Sequence, residues 1–503
     1  MTLDSVEPTP LPGRQDRIDQ GAAVTRRLIH SDCLDALLDE RMVTRGSVGL
    51  AYLDPPFATE RGFEAGLRRL RGETTPGQTT AFDDRWGAYR PRLALPKTVE
   101  SVVSVSASVA GPNMGGYVRF MAERLFALSS ALSPQASVYV HVAPTCAPYL
   151  RLVLDAVLGP KTFRNEIAWK RTHAHSGSRR YGPVHDSILF YARSGYAWHR
   201  PTAPTDPAYA QKHYRSVDAS GRRYQLVTPT GSGDRTGTEA HYQWKGRWPP
   251  AGRHWAWRKT EMERLESLGL LQYSKKGTVR RVYYLSDYKG TPLQDVWTDV
   301  PRLDAHSDER VGFETQKPLT LLSRIIKASA PANGEAVLDG FVGTGTSILA
   351  AENAGLPWIG IDASLKSIAI ALGRAAALGH PRAIALHGGP TTAPEAEHLA
   401  KVDADAFGLW ATACLGLHLD HKLTAPGAIY GRSAQTPLLR AVAAADVSRS
   451  HLEQLAGADA TRRYAIGLRA AYSHPRVARL SLSAMIDKLH SGLVPVPPEE
   501  VLT

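Results

Sequence analysis

Residues 336–364 read AVLDGFVGTGTSILAAENAGLPWIGIDAS. An apolar run ends in Asp339, glycines follow at 340, 343 and 345, a helix-forming stretch stops at Gly355, and a second apolar run ends in Asp362. That order predicts strand, glycine loop, helix and strand. It is a βαβ unit, which puts the chain in the α/β class with a parallel sheet. Gly343 and Gly345 let backbone approach a ligand closely, the helix start offers unpaired N–H groups, and an acid closing the second strand suits the hydroxyl pair of a ribose. A nucleoside-bearing cofactor fits this loop, although a tight strand-to-helix turn would use the same residues. The loop has neither the Gly-Lys-Ser/Thr ending of a triphosphate cradle nor a full GxGxxG, so neither a nucleoside triphosphate nor a dinucleotide is favoured.

Working outward, the next stretch with chemistry is far upstream, at YLDPPF, residues 52–57. Pro55 forces Asp54 out of helical geometry, and neither Pro55 nor Pro56 has an N–H with which to extend a sheet ladder. The strand must turn at Asp54, leaving a carboxylate, a stiff Pro-Pro corner and the Phe57 ring together at its end. Between the two motifs, residues 161–290 hold 24 Lys/Arg against 10 Asp/Glu, an excess of 14 positive charges, while the whole chain nets +12. Six of the ten tryptophans (169, 198, 244, 248, 255 and 257) lie in the same segment. Basic side chains neutralise phosphates and planar rings stack on bases, so a nucleic-acid surface is the functional reading. The bland alternative is a solvated basic face whose rings are buried in a small β-rich core.

At 503 residues the chain exceeds the roughly 250–300 residues one core usually serves, so two or three domains are expected. No uninterrupted apolar segment reaches the ~18 residues needed to span a bilayer, and the polar N-terminus is unlike a signal peptide; a cytoplasmic protein without membrane contact is the expectation. Cys33, Cys146 and Cys414 are far apart with no CxxC, which disfavours a disulfide framework and a cysteine-based zinc site. Residues 1–23 read as a flexible leader, and residues 58–115, rich in Gly, Thr, Ser and Arg, as a long loop or mobile insert. A helix over 116–132, the strand ASVYVHV, a helix APYLRLVLDAVLG and the strand pair NEIAWKR and DSILFYARSG follow. Residues 197–300 are irregular and aromatic. Order returns with QKPLTLLSRIIKASA, where Pro318 suits a first helical turn. Beyond about residue 390 the chain is alanine-rich and reads as helical.

FxGxG joined to DPPF on another strand resembles the amino-methyltransferases that methylate adenine N6 or cytosine N4 in DNA. The DPPF half comes first, a variable basic segment next, and TQKP with the glycine loop last. This is the permuted order of the class that includes the modification subunits of type III restriction systems. The similarity runs from about Arg26 to Leu386 through RLIHSDCLDAL, DPPF, GGYVRFMAERL, NEIAWKR, HDSILFYARSG, GRHWAW, DVWTDV, ERVGFETQKPLTLLSRII and WIGIDAS. It implies an α/β, Rossmann-like S-adenosylmethionine-dependent methyltransferase fold with circularly permuted motif order. The resulting division is a core half with DPPF over 24–196, a target-recognition insert over 197–300, a cofactor-binding half over 301–390 and a helical C-terminal region over 391–503.

The resemblance also implies roles. Asp339, Phe341, Gly343, Gly345 and Thr346 line the cofactor pocket, Asp362 binds the ribose, Asp32 lies near the adenine, and Gln316, Lys317 and Pro318 close the methionine end. Asp32 has the plainer reading of a helix cap, and Pro318 that of a helix start. Asp54 and the Pro55 carbonyl accept the two hydrogens of the target amine, Pro56 stiffens the turn, and Phe57 stacks on a base flipped out of the duplex. The expected partners are double-stranded DNA, with a restriction subunit or a second copy of the chain. Two departures stand out: Gly340 occupies a position where the family usually has Pro, and the run after His141 is HVAP where an acid is usual. His173, His175 and His185 read as loop histidines near phosphate, not as a metal site. Asp before the Pro-Pro pair favours adenine N6 by family habit. The alternatives are cytosine N4, a DNA-binding subunit without catalysis, and an RNA methyltransferase.

Overall fold

All six residues of Val48–Leu53 are buried, as expected of a strand covered by helices on both faces. In the computed structural model this strand stands in the middle of a nine-stranded sheet. The structure describes the chain except residues 1–25, 59–61, 65–79, 84, 174–178, 180, 204–206, 305–306, 308, 312–314, 333, 379–383, 391, 415–416, 420–428, 433–438, 445, 459, 461, 467–468, 471–477 and 481–503. The expected leader, 1–23, and His175 therefore lie outside the described residues.

In chain order the strands of the main sheet are β1 (Arg26–His30), β2 (Val48–Leu53), β3 (Leu132–Val142), β4 (Phe163–Lys170), β5 (His185–Ala192), β6 (Val296–Trp297), β7 (Ala336–Asp339), β8 (Trp358–Asp362) and β9 (Ala385–His387). Across the sheet they run β6-β4-β5-β3-β2-β7-β8-β1-β9. Every neighbouring pair is parallel except those of β5, which runs antiparallel to both β3 and β4. β2 and β7, nearly 300 residues apart in sequence, are neighbours, with Tyr52 opposite Asp339. Helices α1 (Cys33–Leu38), α2 (Lys97–Ala131), α3 (Ala147–Leu158), α4 (Leu319–Ala328), α5 (Thr346–Asn353) and α6 (Leu365–Ala377) complete the core. One apolar cluster joins α1, α2 and α3 to a sheet face through residues such as Leu34, Met121, Leu150 and Val140. A second joins α4, α5 and α6 through Leu322, Ile325, Ile348 and Leu372. Among the described residues no helix is long and apolar enough to cross a membrane.

Two expectations are corrected. Residues 58–115 are not a single loop: Gly62–Glu64 pairs with Thr80–Asp83, and α2 starts at Lys97. Inside α2 only Gly111 leaves helical geometry, at φ 86°, just before Pro112. The serines that suggested a loop turn their hydroxyls back on the helix: Ser101, Ser104, Ser106 and Ser108 each donate to the carbonyl four residues earlier at 2.8–2.9 Å. That back-bonding satisfies polar groups without breaking the helix, and packing of Val99 and Ser106 against the core outweighs the modest propensity of the run. The C-terminal region is likewise not purely helical. Besides α7 (Ala393–Val402), α8 (Ala404–Cys414) and α9 (Arg449–Gly457) it holds a five-stranded sheet built from His418–Leu419, Ile429–Arg432, Leu439–Ala443, Arg462–Ile466 and Ala478–Leu480. Alanines 441 and 443 are wholly buried in strands, so tertiary packing overrides their helical preference.

Arg200–Gln294 form a second unit, close to the 197–300 expected for the insert. Its sheet has Leu271–Tyr273, Val279–Tyr284, Arg223–Val227 and Ser216–Val217 as antiparallel neighbours, with helices Pro207–His213 and Lys259–Ser267. Trp244 and Trp255 are buried with Met262, Leu265, Leu271 and Val279 in its core. The small aromatic core of the second reading is therefore present, and other rings and cations of the segment stay at the surface. Trp248 remains 56% exposed and stacks on His241 with ring centroids 4.9 Å apart, while Lys259, Lys275 and Lys276 are exposed.

Candidate active site

β2 and β7 run side by side and end together, but the chain leaves them in opposite directions, from β2 towards β3 and from β7 towards β8. At such a switch the connections splay apart and open a crevice beyond the carboxyl ends of the strands. A cavity of about 1350 Å³ occupies that place. Asp54, Pro55, Pro56 and Phe57 line it from β2, and Asp339, Phe341, Gly343 and Thr346 line it from the glycine loop after β7. Asp362 from β8, Asp32 from the end of β1, and Gln316 and Lys317 from the segment before α4 complete the expected set. Gly345 and Pro318 lie outside the described lining and act on the backbone. Gly345 caps α5 at φ 82°, where an added Cβ would come within 2.9 Å of Ala371 Cα; Pro318 immediately precedes α4 at φ −67°.

The glycine loop is held at both ends. Asp339, wholly buried, accepts the Phe341 N–H at 2.9 Å and the Ser347 hydroxyl, and burial pushes its carboxyl up to about 7, the neighbouring charges of Asp54 and Asp362 adding to the effect. Asp362 accepts the N–H of Gly343 at 2.9 Å and of Ser364 at 2.8 Å; burial raises its carboxyl too. A positively charged neighbour would act on both acids in the opposite direction to burial. Arg374 of α6, a residue with no motif to announce it, donates to the Thr344 carbonyl at 2.6 Å and to the Thr346 hydroxyl at 3.2 Å. Gly340, where the family usually has Pro, faces Cys33: a Cβ there would lie 2.7 Å from Cys33 Sγ and 3.0 Å from Leu53 Cδ2. The thiol fills the room a side chain would need, and burial pushes it up to about 12, so it is a neutral packing group.

Around Asp54 the structure adds to the sequence reading. Lys317 donates to Asp54 Oδ2, with both side chains mostly buried and the ammonium 5.3 Å from the Phe57 ring centroid. Lys317 thus ties the segment before α4 to the DPPF corner. Asp54 Oδ1 is buried with no hydrogen-bond partner among the described residues. Behind Phe57 lies a chain of polar groups that sequence reasoning missed. Tyr52 Oη and His141 Nδ1 are 2.9 Å apart, His141 Nε2 and Asp186 Oδ2 are 3.3 Å apart, and Arg171 Nε reaches Asp186 Oδ1 at 2.8 Å. The Phe57 and His141 rings lie 5.9 Å apart at 32°. An acid does stand beside His141, but it comes from β5 across the sheet, placed there by the β3–β5 register that sets His141 opposite Ile188.

Asp32 does cap α1, accepting from Leu34 N at 2.9 Å, and also pairs with Arg124 at 2.6 Å and Arg92 at 3.2 Å. Its carboxylate lines the cavity already committed to protein partners. Gln316 accepts from Val311 N at 2.9 Å and donates to Glu309 O at 2.7 Å, which fixes the turn that presents Lys317. Among the described residues no group of three or more His, Cys, Asp or Glu is placed to hold a metal ion.

Residues 48–372 match the N6_N4_Mtase family of DNA methylases. The type II methyltransferase M.EcaI of Enterobacter cloacae is 29% identical over 332 residues, which cover 65% of this chain and 64% of that protein. The Mod subunit of the type III restriction-modification enzyme StyLTI of Salmonella typhimurium is 26% identical over 348 residues, 63% of this chain and 48% of the relative. The DNA adenine methyltransferase YhdJ of Escherichia coli is 36% identical over 120 residues, 22% of this chain and 39% of the relative. The matched stretches span less than two thirds of each of these relatives.

Proposed function

From the premise that this chain belongs to the N6_N4_Mtase family of DNA methylases, we propose that it methylates the N6 amine of adenine at a specific site in duplex DNA. The observation that carries the reading is Asp54: Oδ2 is held by Lys317 while Oδ1 is buried without a partner. A buried carboxylate oxygen left unpaired is costly, on the order of 1–3 kcal/mol, and an amine hydrogen presented in the cavity removes that cost.

S-adenosylmethionine is the cofactor, and when bound it supplies an electrophilic methyl group on a sulfonium. The residues fit it: Gly343 N–H and Asp362 form a cradle for a ribose, and Asp339 and Asp362, both raised by burial, gain from a positively charged neighbour. The exocyclic amine of adenine is a poor nucleophile because its lone pair is shared with the ring. Asp54 Oδ1 and the Pro55 carbonyl accept its two hydrogens, which directs the lone pair towards the methyl group and stabilises the positive charge developing on nitrogen. Phe57 stacks on the base, which must leave the duplex to reach the cavity. Tyr52, His141 and Asp186 brace Phe57 from behind. Lys317 holds the Asp54 carboxylate in one orientation.

The exposed Trp248 and the lysines of the 200–294 unit suit contact with DNA, where phosphates meet the cations and bases meet the ring. Asp at the head of DPPF and the adenine activity in the name of YhdJ support adenine over cytosine N4. The Mod relative makes a restriction subunit the protein partner to seek, and the cytoplasm the compartment. The test is to express the protein and Asp54→Ala in cells lacking DNA methylation and map modified bases genome-wide. A motif-specific N6-methyladenine mark that vanishes in the variant is the expected result; N4-methylcytosine marks, or none from a folded parent with cofactor bound, would overturn it.

A further inference from the structure

The family match ends at residue 372, yet the cavity does not. Asp403 and Ala406, in a region for which the sequence offered no role, line it alongside Asp362, Ser364 and Lys366. Lys366 Nζ is 3.0 Å from Asp403 Oδ2, with the lysine side chain 12% exposed, and Asp403 Oδ1 accepts the Ala406 N–H at 3.0 Å to cap α8. The seating of this region on α6 is close: a Cβ at Gly373 would lie 2.7 Å from the Leu417 carbonyl oxygen. Ala406 itself is 2% exposed, so a larger side chain there has the cavity as its free direction.

We propose that the start of α8 is the outer wall of the cofactor cavity on its nucleoside side, and that Asp403 is a positioning residue that neutralises Lys366 there. The inference rests on S-adenosylmethionine being the cofactor. Lys366 lies four residues beyond Asp362, in the first turn of α6 just after the cavity-lining Ala363 and Ser364, so whatever occupies the ribose position meets this wall next. An ammonium so little exposed and without its carboxylate would repel a ligand that carries net positive charge. The small side chain of Ala406 leaves space for a planar base, and the C-terminal region thereby contributes directly to cofactor affinity.

The test uses the full chain and two ligands, S-adenosylmethionine and 5′-methylthioadenosine, the second lacking the amino-acid end. Ala406→Phe, which fills the wall, is expected to weaken both by about tenfold or more while duplex DNA affinity stays within about twofold. Asp403→Asn keeps the helix cap, since Asn accepts as Asp does, and removes only the charge. It is expected to weaken S-adenosylmethionine by roughly three- to tenfold, with recovery on adding Lys366→Met. Unchanged binding of both ligands in folded Ala406→Phe, or in Asp403→Asn should the first variant unfold, overturns the inference. A wild-type protein that binds neither ligand would instead count against the cofactor assignment itself.

Discussion

Replacing Asp54 with Asn tests the catalytic corner without changing its shape. The carboxylate is mostly buried, with its side chain 16% exposed, so its charge is not screened as a surface charge would be. A unit charge about 4 Å from the developing cation contributes roughly 4 kcal/mol at an effective dielectric near 20. Lys317 already neutralises part of it, which brings the expected loss to about 3 kcal/mol, or on the order of 10²-fold in the rate of methyl transfer. The assay is single-turnover transfer from radiolabelled S-adenosylmethionine to duplex DNA carrying the mapped site, with cofactor affinity measured in parallel and expected to stay within about twofold of wild type. Because Lys317 acts through Asp54, Lys317→Met alone is expected to lower the rate by roughly tenfold, yet to add little in the Asp54→Asn background. A rate for Asp54→Asn within tenfold of wild type, or losses that simply multiply in the double variant, would refute the reasoning.

Gly343 and Ser364 donate to different oxygens of Asp362, so Asp362→Asn can accept from only one of them and has less acceptor capacity towards a ribose; S-adenosylhomocysteine binding measured by calorimetry should weaken by about tenfold or more. Gly340→Ala should destabilise the fold by about 1–3 kcal/mol through the contact with Cys33 Sγ, and denaturant melts should show part of that loss recovered in the double variant with Cys33→Ala. Burial holds the Asp339 carboxyl up to about 7 from an ordinary 3.8, so between about pH 4 and 7 the folded protein keeps a proton that the unfolded chain has released. That contribution to stability is present below about pH 4 and lost as pH rises to about 7; Asp339→Asn should flatten this part of a melting-temperature profile. Lys275→Ala with Lys276→Ala should weaken binding to all duplex sequences alike and reduce the slope of log affinity against log salt by about 1–2.

The parts of this site that were legible in sequence are those where chemistry demands particular residues in a row. DPPF ends a strand by the covalent geometry of proline, and the glycine loop followed by Asp362 needs the βαβ frame, so β2, β7 and β8 and the twelve lining residues from Asp32 to Asp362 could be named in advance. What stayed hidden depends on register or on long-range contact. His141 meets Asp186 only because β5 is antiparallel to β3, and nothing local to either residue foretells the pairing. Arg374 reaches the glycine loop from the far part of α6. The first half of α2 resembles a loop in sequence because serine, valine and glycine are indifferent helix formers, and burial of one face decides for the helix. In the C-terminal region, alanine-rich composition carried a helical bias that strand pairing overrode at residues 439–443.

The central claim is that one cavity brings a cofactor held by the glycine loop against the DPPF corner. A crystal structure with sinefungin, which carries an amine in place of the transferable methyl group, tests it most directly. The expected density has the nucleoside end at Asp362 and the amine roughly 3–5 Å from Asp54 Oδ1, the span that one target nitrogen bridges. Sinefungin bound outside this cavity, or with its amine facing away from Pro55 and Phe57 and more than about 8 Å from Asp54, would contradict it.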